Sequence, residues 1–150
     1  MEIQPDFREL LVLFNEQNVE YLIVGGYALA FHGTPRYTGD LDILVRPDHA
    51  NAQRILKALA LFGFGLLGLT AADFENPERV IQLGEPPVRI DLITSITGVS
   101  WEEAFSSRVP GNYDDIPVYF LGREPFIRNK RAIGRAKDLA DIEALDSTVI

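Results

Sequence analysis

The chain has 150 residues, no cysteine and a net charge of −8, with 47% hydrophobic and 24% charged residues. That length suits one domain with a core of its own, and the lack of cysteine excludes disulfides and thiolate metal sites. The acidic balance argues against DNA binding driven by non-specific phosphate neutralisation.

At the N-terminus, MEIQPDFREL carries acids where a signal peptide would be basic and then apolar. No run approaches the roughly 20 apolar residues of a membrane span, so no membrane association and a cytoplasmic location are expected. Asp6 is placed to cap a helix whose apolar positions are Phe7, Leu10, Leu11 and Phe14. EYLIV (20–24) reads as a buried strand that stops at Gly25-Gly26, and the short helix YALAFHG follows. After the turn Thr34-Pro35, LDILV (41–45) is a second strand. Pro47-Asp48 opens a helix through about Leu61 with Ile55, Leu56 and Leu59 on one face. VIQLG and VRIDLITSI flank Glu85-Pro86-Pro87, the pattern of a hairpin or adjacent strands. Ser100 with Glu103 has the form of a capping box and starts another helix. VYFLG follows Pro117 as a strand, the proline predicting its first residue or an edge. The tail is helical from Glu124 to about Ile133 and again from Lys137 to Leu145, broken at Gly134. The order αβαβαββαβαα predicts one α/β (α+β) domain over residues 1–150, a mixed central sheet flanked by helices with further helices at the C-terminus.

Three features carry chemistry. A strand that ends in Gly25-Gly26 and feeds a helix leaves backbone N–H groups and the helix dipole facing an anion, with no side chain in the way. Asp40 and Asp42, at i and i+2 of an extended segment, project from the same face. Two like charges that close repel unless a cation lies between them, and hard oxygen ligands suit Mg²⁺ or Mn²⁺. Asp91 sits inside an apolar strand, where an unpaired carboxylate is costly. It either pairs with Arg89 at the surface or, if its strand lies beside LDILV, joins Asp40 and Asp42 as a third acid. Residues 123–137 add a basic segment with Arg123, Arg128, Lys130, Arg131, Arg135 and Lys137 against the single acid Glu124. That segment is either a solvated helix face or one wall of a polyanion site.

The string G-G-Y-A-x-x-x-H-G-x-x-R-x-T-x-D-L-D-I, with an acid on a later strand, resembles the nucleotidyltransferase superfamily of DNA polymerase β type. It is close to small bacterial members akin to the AbiEii abortive-infection toxins, and Lys130 with R-A-K-D-L-A-D resembles the segment those proteins carry after the core. The resemblance covers residues 20–45, about 88–94 and 126–145. It implies a nucleotidyltransferase-like fold and transfer of a nucleoside monophosphate from an NTP. By position, Gly25 and Gly26 would cradle the phosphates. Asp40, Asp42 and Asp91 would hold Mg²⁺ or Mn²⁺ and serve the chemistry. Lys130 and Lys137 would contact triphosphate or acceptor, with Asp138 nearby. Arg36 and Thr38, just before the acid pair, join the nucleotide-contacting set, Arg36 either reaching a phosphate or balancing Asp40 and Asp42. No motif specifies the acceptor, which is a tRNA, a protein or a small molecule, and a toxin–antitoxin setting rests on analogy. A non-catalytic module that keeps the fold and binds nucleotide or partner is the alternative. A sugar-nucleotide transferase with a D-x-D motif fits worse, since it does not call for a glycine-led helix before the acids.

Overall fold

The computed structural model describes residues 3–33, 39–63, 68–85 and 87–148. The first helix, α1 (Pro5–Glu16), starts two residues earlier than an Asp6 cap would allow: Gln4 is the cap residue, Pro5 begins the helix, and Asp6 lies in the first turn. There its charge meets the positive end of the dipole. Phe7, Leu10, Leu11 and Phe14 are fully buried, as their spacing requires. The buried strand β1 (Tyr21–Val24) passes without a loop into α2 (Gly25–Phe31), and β2 (Asp40–Val45) follows. In α3 (His49–Phe62) the Asp48 carboxylate caps the start by accepting from the Asn51 N–H at 2.7 Å, and Gly63 ends the helix in the left-handed conformation.

Beyond α3 come α4 (Ala71–Glu75), β3 (Val80–Glu85), β4 (Val88–Ile93), α5 (Trp101–Ser106), β5 (Val109–Tyr113), β6 (Ile116–Phe120), α6 (Arg123–Ile133) and α7 (Ala136–Thr148). The runs on either side of Glu85-Pro86-Pro87 pair, β3 antiparallel to β4, and the Ser100–Glu103 capping box opens α5. The strands form one six-stranded sheet in the order β3-β4-β2-β1-β6-β5. β1–β2, β3–β4 and β5–β6 are antiparallel, whereas β2–β4 and β1–β6 are parallel. This is the mixed central sheet with flanking and C-terminal helices that the element order predicts.

Two elements lie outside that prediction. α4 hides behind a glycine-rich stretch, and its only sequence signal is the box Thr70–Asp73, in which the Thr70 N–H donates to Asp73 Oδ2 at 2.7 Å. β5 contains Pro110 and Gly111, residues that weaken a strand reading but are tolerated at the edge β5 occupies. Because β5 takes the edge, β6 is internal, contrary to the expectation from Pro117. The proline is accommodated because β1 pairs only with the far end of β6, through Ile23 and Phe120. The core that fixes this arrangement runs through α1, β1, β2 and α3, with Leu41, Ile43 and Val45 of β2 fully buried on one face. The other face carries Asp40 and Asp42 at the edge of that burial.

Candidate active site

The site forms where strands that are distant in sequence become neighbours. β2 and β4 pair in parallel with Asp42 opposite Asp91 and Asp40 opposite Arg89. Register partners share a face, so Asp91 joins the side on which Asp40 and Asp42 already stand. Of the two sequence readings of Asp91, both hold in part. It is 7% exposed beside the acid pair, and Arg89 Nη2 lies 3.1 Å from its Oδ2, an ion pair that is half-buried rather than fully at the surface. The same nitrogen lies 2.9 Å from Asp40 Oδ2. The other Asp91 oxygen, Oδ1, is buried and has no hydrogen-bond partner among the described residues.

Crowding of charge raises the proton affinity of the central acid. Burial first, then the charges of Asp91 and Asp40, push the Asp42 carboxyl up to about 6, with Arg89 and Lys130 pulling the other way. Gly25 is fitted to that carboxylate. Its φ of +67° disfavours other residues, and a Cβ there would lie 2.2 Å from Asp42 Oδ2. The glycine is thus required both by its backbone and by the acid across from it, through the antiparallel pair Val24–Asp42. Gly26 is the half-buried second residue of α2, whose start has no side-chain cap.

A cleft of about 230 Å³ opens at this point, and Gly25, Asp42, Ser95, Thr97, Asn129 and Lys130 are among its lining residues. Lys130 enters because the chain after β4 turns toward α6. The Asn129 side-chain amide donates to the Thr97 carbonyl at 2.8 Å, and Gly98 packs so closely on Ala132 that a Cβ would come within 2.8 Å of it. This crossing also ends β4 at Ile93, short of the sequence reading that carried the strand to Ile96.

The tail residues divide by role. Lys130 Nζ lies 3.4 Å from Asp138 Oδ1 and 3.5 Å from Asp141 Oδ2. Asp138 is fully buried and does not line the cleft. It also accepts from Arg135 Nε at 2.7 Å and from the Arg135 backbone N–H at 3.2 Å, and the guanidinium holds its carboxyl down to about 2. Asp138 thus sits behind Lys130, with no exposed surface of its own. Lys137 is exposed in the first turn of α7 and is not brought to the cleft. Arg36 and Thr38 lie outside the described residues. Asp141, 5% exposed, completes the lysine's surroundings, and its signal in the sequence was the three-residue spacing from Asp138 on one helix face. Asp138→Asn is expected to destabilise the fold by about 2–3 kcal/mol in urea unfolding at pH 7, because Lys130 and Arg135 lose a charged partner. The difference should shrink as pH falls from about 4 towards 2, where the wild-type carboxylate is itself protonated.

Three hard oxygen ligands on one face, one with an unpartnered buried oxygen, suit Mg²⁺ or Mn²⁺. They are not a finished cage: among the described residues no three acidic or histidine side chains are gathered at coordinating distance, since Arg89 stands between Asp40 and Asp91.

No protein-family model and no curated protein matches the chain. Solved structures do. A lincomycin-bound lincosamide antibiotic adenylyltransferase superposes with a TM-score of 0.59 at 15% identity, over 99% of this chain and 100% of its own. The antibiotic-resistance factor ANT(2'')-Ia, in solution, gives 0.62 at 13% over 95% and 81%. Its crystal complex with adenylyl-2''-tobramycin gives 0.54 at 14% over 94% and 86%. The fold of this chain is that of the nucleotidyltransferases.

Proposed function

We propose that this chain, having that fold, is a nucleotidyltransferase that moves a nucleoside monophosphate from an NTP to an acceptor hydroxyl. The observation that carries the reading is the register of β2 on β4, which sets Asp91 opposite Asp42 and on the face of Asp40. A module that only binds a partner has no physical need to hold three carboxylates together in a half-buried place.

Each residue has a distinct task in this reading. Asp40, Asp42 and Asp91 would hold the Mg²⁺ or Mn²⁺. When bound, the metal neutralises the phosphates and sharpens the acceptor hydroxyl as a nucleophile. The uncapped N–H groups at Gly25 and Gly26 orient the triphosphate, and the absent side chain at Gly25 lets it approach the carboxylates. Lys130, held on Asp138 and Asp141, keeps a positive charge at the cleft wall for the β- and γ-phosphates. In-line displacement at the α-phosphate breaks its bond to the bridging oxygen, which leaves with pyrophosphate, and forms one to the acceptor oxygen, whose proton is lost to a neighbouring carboxylate or to water. Such a step depends on positioning and charge more than on covalent help.

For the acceptor we favour a small hydroxyl-bearing molecule over a tRNA or a protein. Solved structures sharing the fold carry lincomycin or adenylylated tobramycin, and the lincosamide enzyme matches over its whole chain. A toxin–antitoxin setting has only the sequence resemblance behind it. Titration calorimetry with excess Mg²⁺ or Mn²⁺ is expected to show NTP binding that disappears in Asp40→Ala/Asp42→Ala; binding that survives the double change would end the proposal. Incubation with α-labelled NTPs and cell extract, fractionated into RNA, protein and small molecules, then identifies the acceptor class.

A further inference from the structure

Arg89 is a feature of this site that metal and nucleotide binding do not require. Its Nη2 nitrogen sits between two carboxylates, 2.9 Å from Asp40 Oδ2 and 3.1 Å from Asp91 Oδ2. A divalent cation draws such oxygens to about 2.1 Å from itself, so guanidinium and metal cannot share the place. We infer that Arg89 is a built-in counter-ion that occupies the cation position of the free protein and withdraws when metal and nucleotide arrive together. The inference rests on the reading of Asp40, Asp42 and Asp91 as metal ligands.

The pose of Arg89 is suited to release. Its side chain is 28% exposed, so the guanidinium can turn outward without being stranded in the core. Its Nε is buried with no hydrogen-bond partner among the described residues, which leaves a donor unsatisfied in the inward pose. The register partner of Arg89 on β3 is Gly84, which offers no side chain to hold it in place. The partner oxygen Asp91 Oδ1 is likewise unsatisfied, so the inward pose does not complete the acid either. A bare cation must break both ion pairs and send the guanidinium to water. A cation that brings a triphosphate supplies new anionic oxygens for the arginine near the place it leaves. Metal and nucleotide therefore favour each other's binding through this one side chain.

The test is Mn²⁺ binding followed by the electron paramagnetic resonance of free Mn²⁺ at pH 8, without nucleotide and with a non-hydrolysable NTP analogue. Wild type, Arg89→Gln, Arg89→Met and Arg89→Lys are compared after thermal unfolding has shown that each is folded. The two neutral variants are expected to bind Mn²⁺ alone about tenfold more tightly than wild type, and the gain from nucleotide should shrink by a similar factor. Arg89→Lys, which keeps the charge, should follow wild type. Neutral variants that bind Mn²⁺ no more tightly, or a lysine variant that behaves like them, would overturn the inference while leaving the metal site intact. Absence of Mn²⁺ binding in wild type with and without nucleotide would instead overturn the metal reading on which it rests.

Discussion

Asp42→Asn is expected to cut nucleotide transfer by about a hundred- to a thousandfold, the loss typical when a group that stabilises developing charge is removed, and yet to make the metal-free protein more stable at pH 8. The two effects share one cause. Asp42 is the acid whose carboxyl is pushed up to about 6, by burial and by Asp91 and Asp40. The folded protein holds a proton there that the unfolded chain releases at about pH 4. Stability from this group is thus fully present below about pH 4 and is lost as pH rises through about 6. Above that, the ionised carboxylate opposes folding by an amount on the order of 2 kcal/mol. The amide matches the shape and has no charge, so urea midpoints of Asp42→Asn and wild type should converge near pH 4 and separate in favour of the variant near pH 8. Metal binding runs the other way, since the ligand must be deprotonated. Mn²⁺ affinity of wild type should therefore climb as pH passes 6. A variant that still carries label from an α-labelled NTP to the acceptor would remove Asp42 from the chemistry.

Gly25→Ala should damage both fold and site, with a loss of about 2–3 kcal/mol in urea unfolding and no measurable NTP binding. About 1–2 kcal/mol comes from placing a Cβ on a left-handed backbone. The remainder comes from contact, because that Cβ would meet Asp42 Oδ2 at 2.2 Å. The carboxylate must then leave its place opposite Asp91, so function fails beyond what stability explains. Gly25→Ala/Asp42→Ala isolates the contact: truncating the acid removes the colliding oxygen, and the double variant should be less destabilised than the sum of the singles. Strict additivity would mean that the backbone conformation alone demands the glycine.

Several parts of this site and of the fold around it are written locally. Asp40 and Asp42 share a face because a strand alternates, and Asp48 and Ser100 start helices because their side chains reach N–H groups within three residues. Gly25-Gly26 directly after four buried strand residues marks the turn into α2 for the same short-range reason. The edge strand β5 escaped because Pro110 and Gly111 are weak strand formers, and it exists through pairing with β6. For the same reason Pro117 misled: whether a proline is harmful depends on which neighbour lies beside it, a property of the sheet.

The sequence by itself therefore determined the two acids on one strand face, the glycine-led helix before them and the class of fold into which they fit, all effects of residues a few positions apart. Only the tertiary structure decided that Asp91 would stand opposite Asp42. It likewise decided that Arg89 would lie between Asp91 and Asp40, that Lys130 and not Lys137 would reach the cleft, and that Asp138 would be buried against Lys130. The physical reason is that parallel pairing of β2 with β4 and the crossing of 94–98 to α6 join segments with no local coupling. Their register is set by the burial of Leu41, Ile43, Ile90 and Leu92 in one core, and the charges follow where those apolar side chains lead.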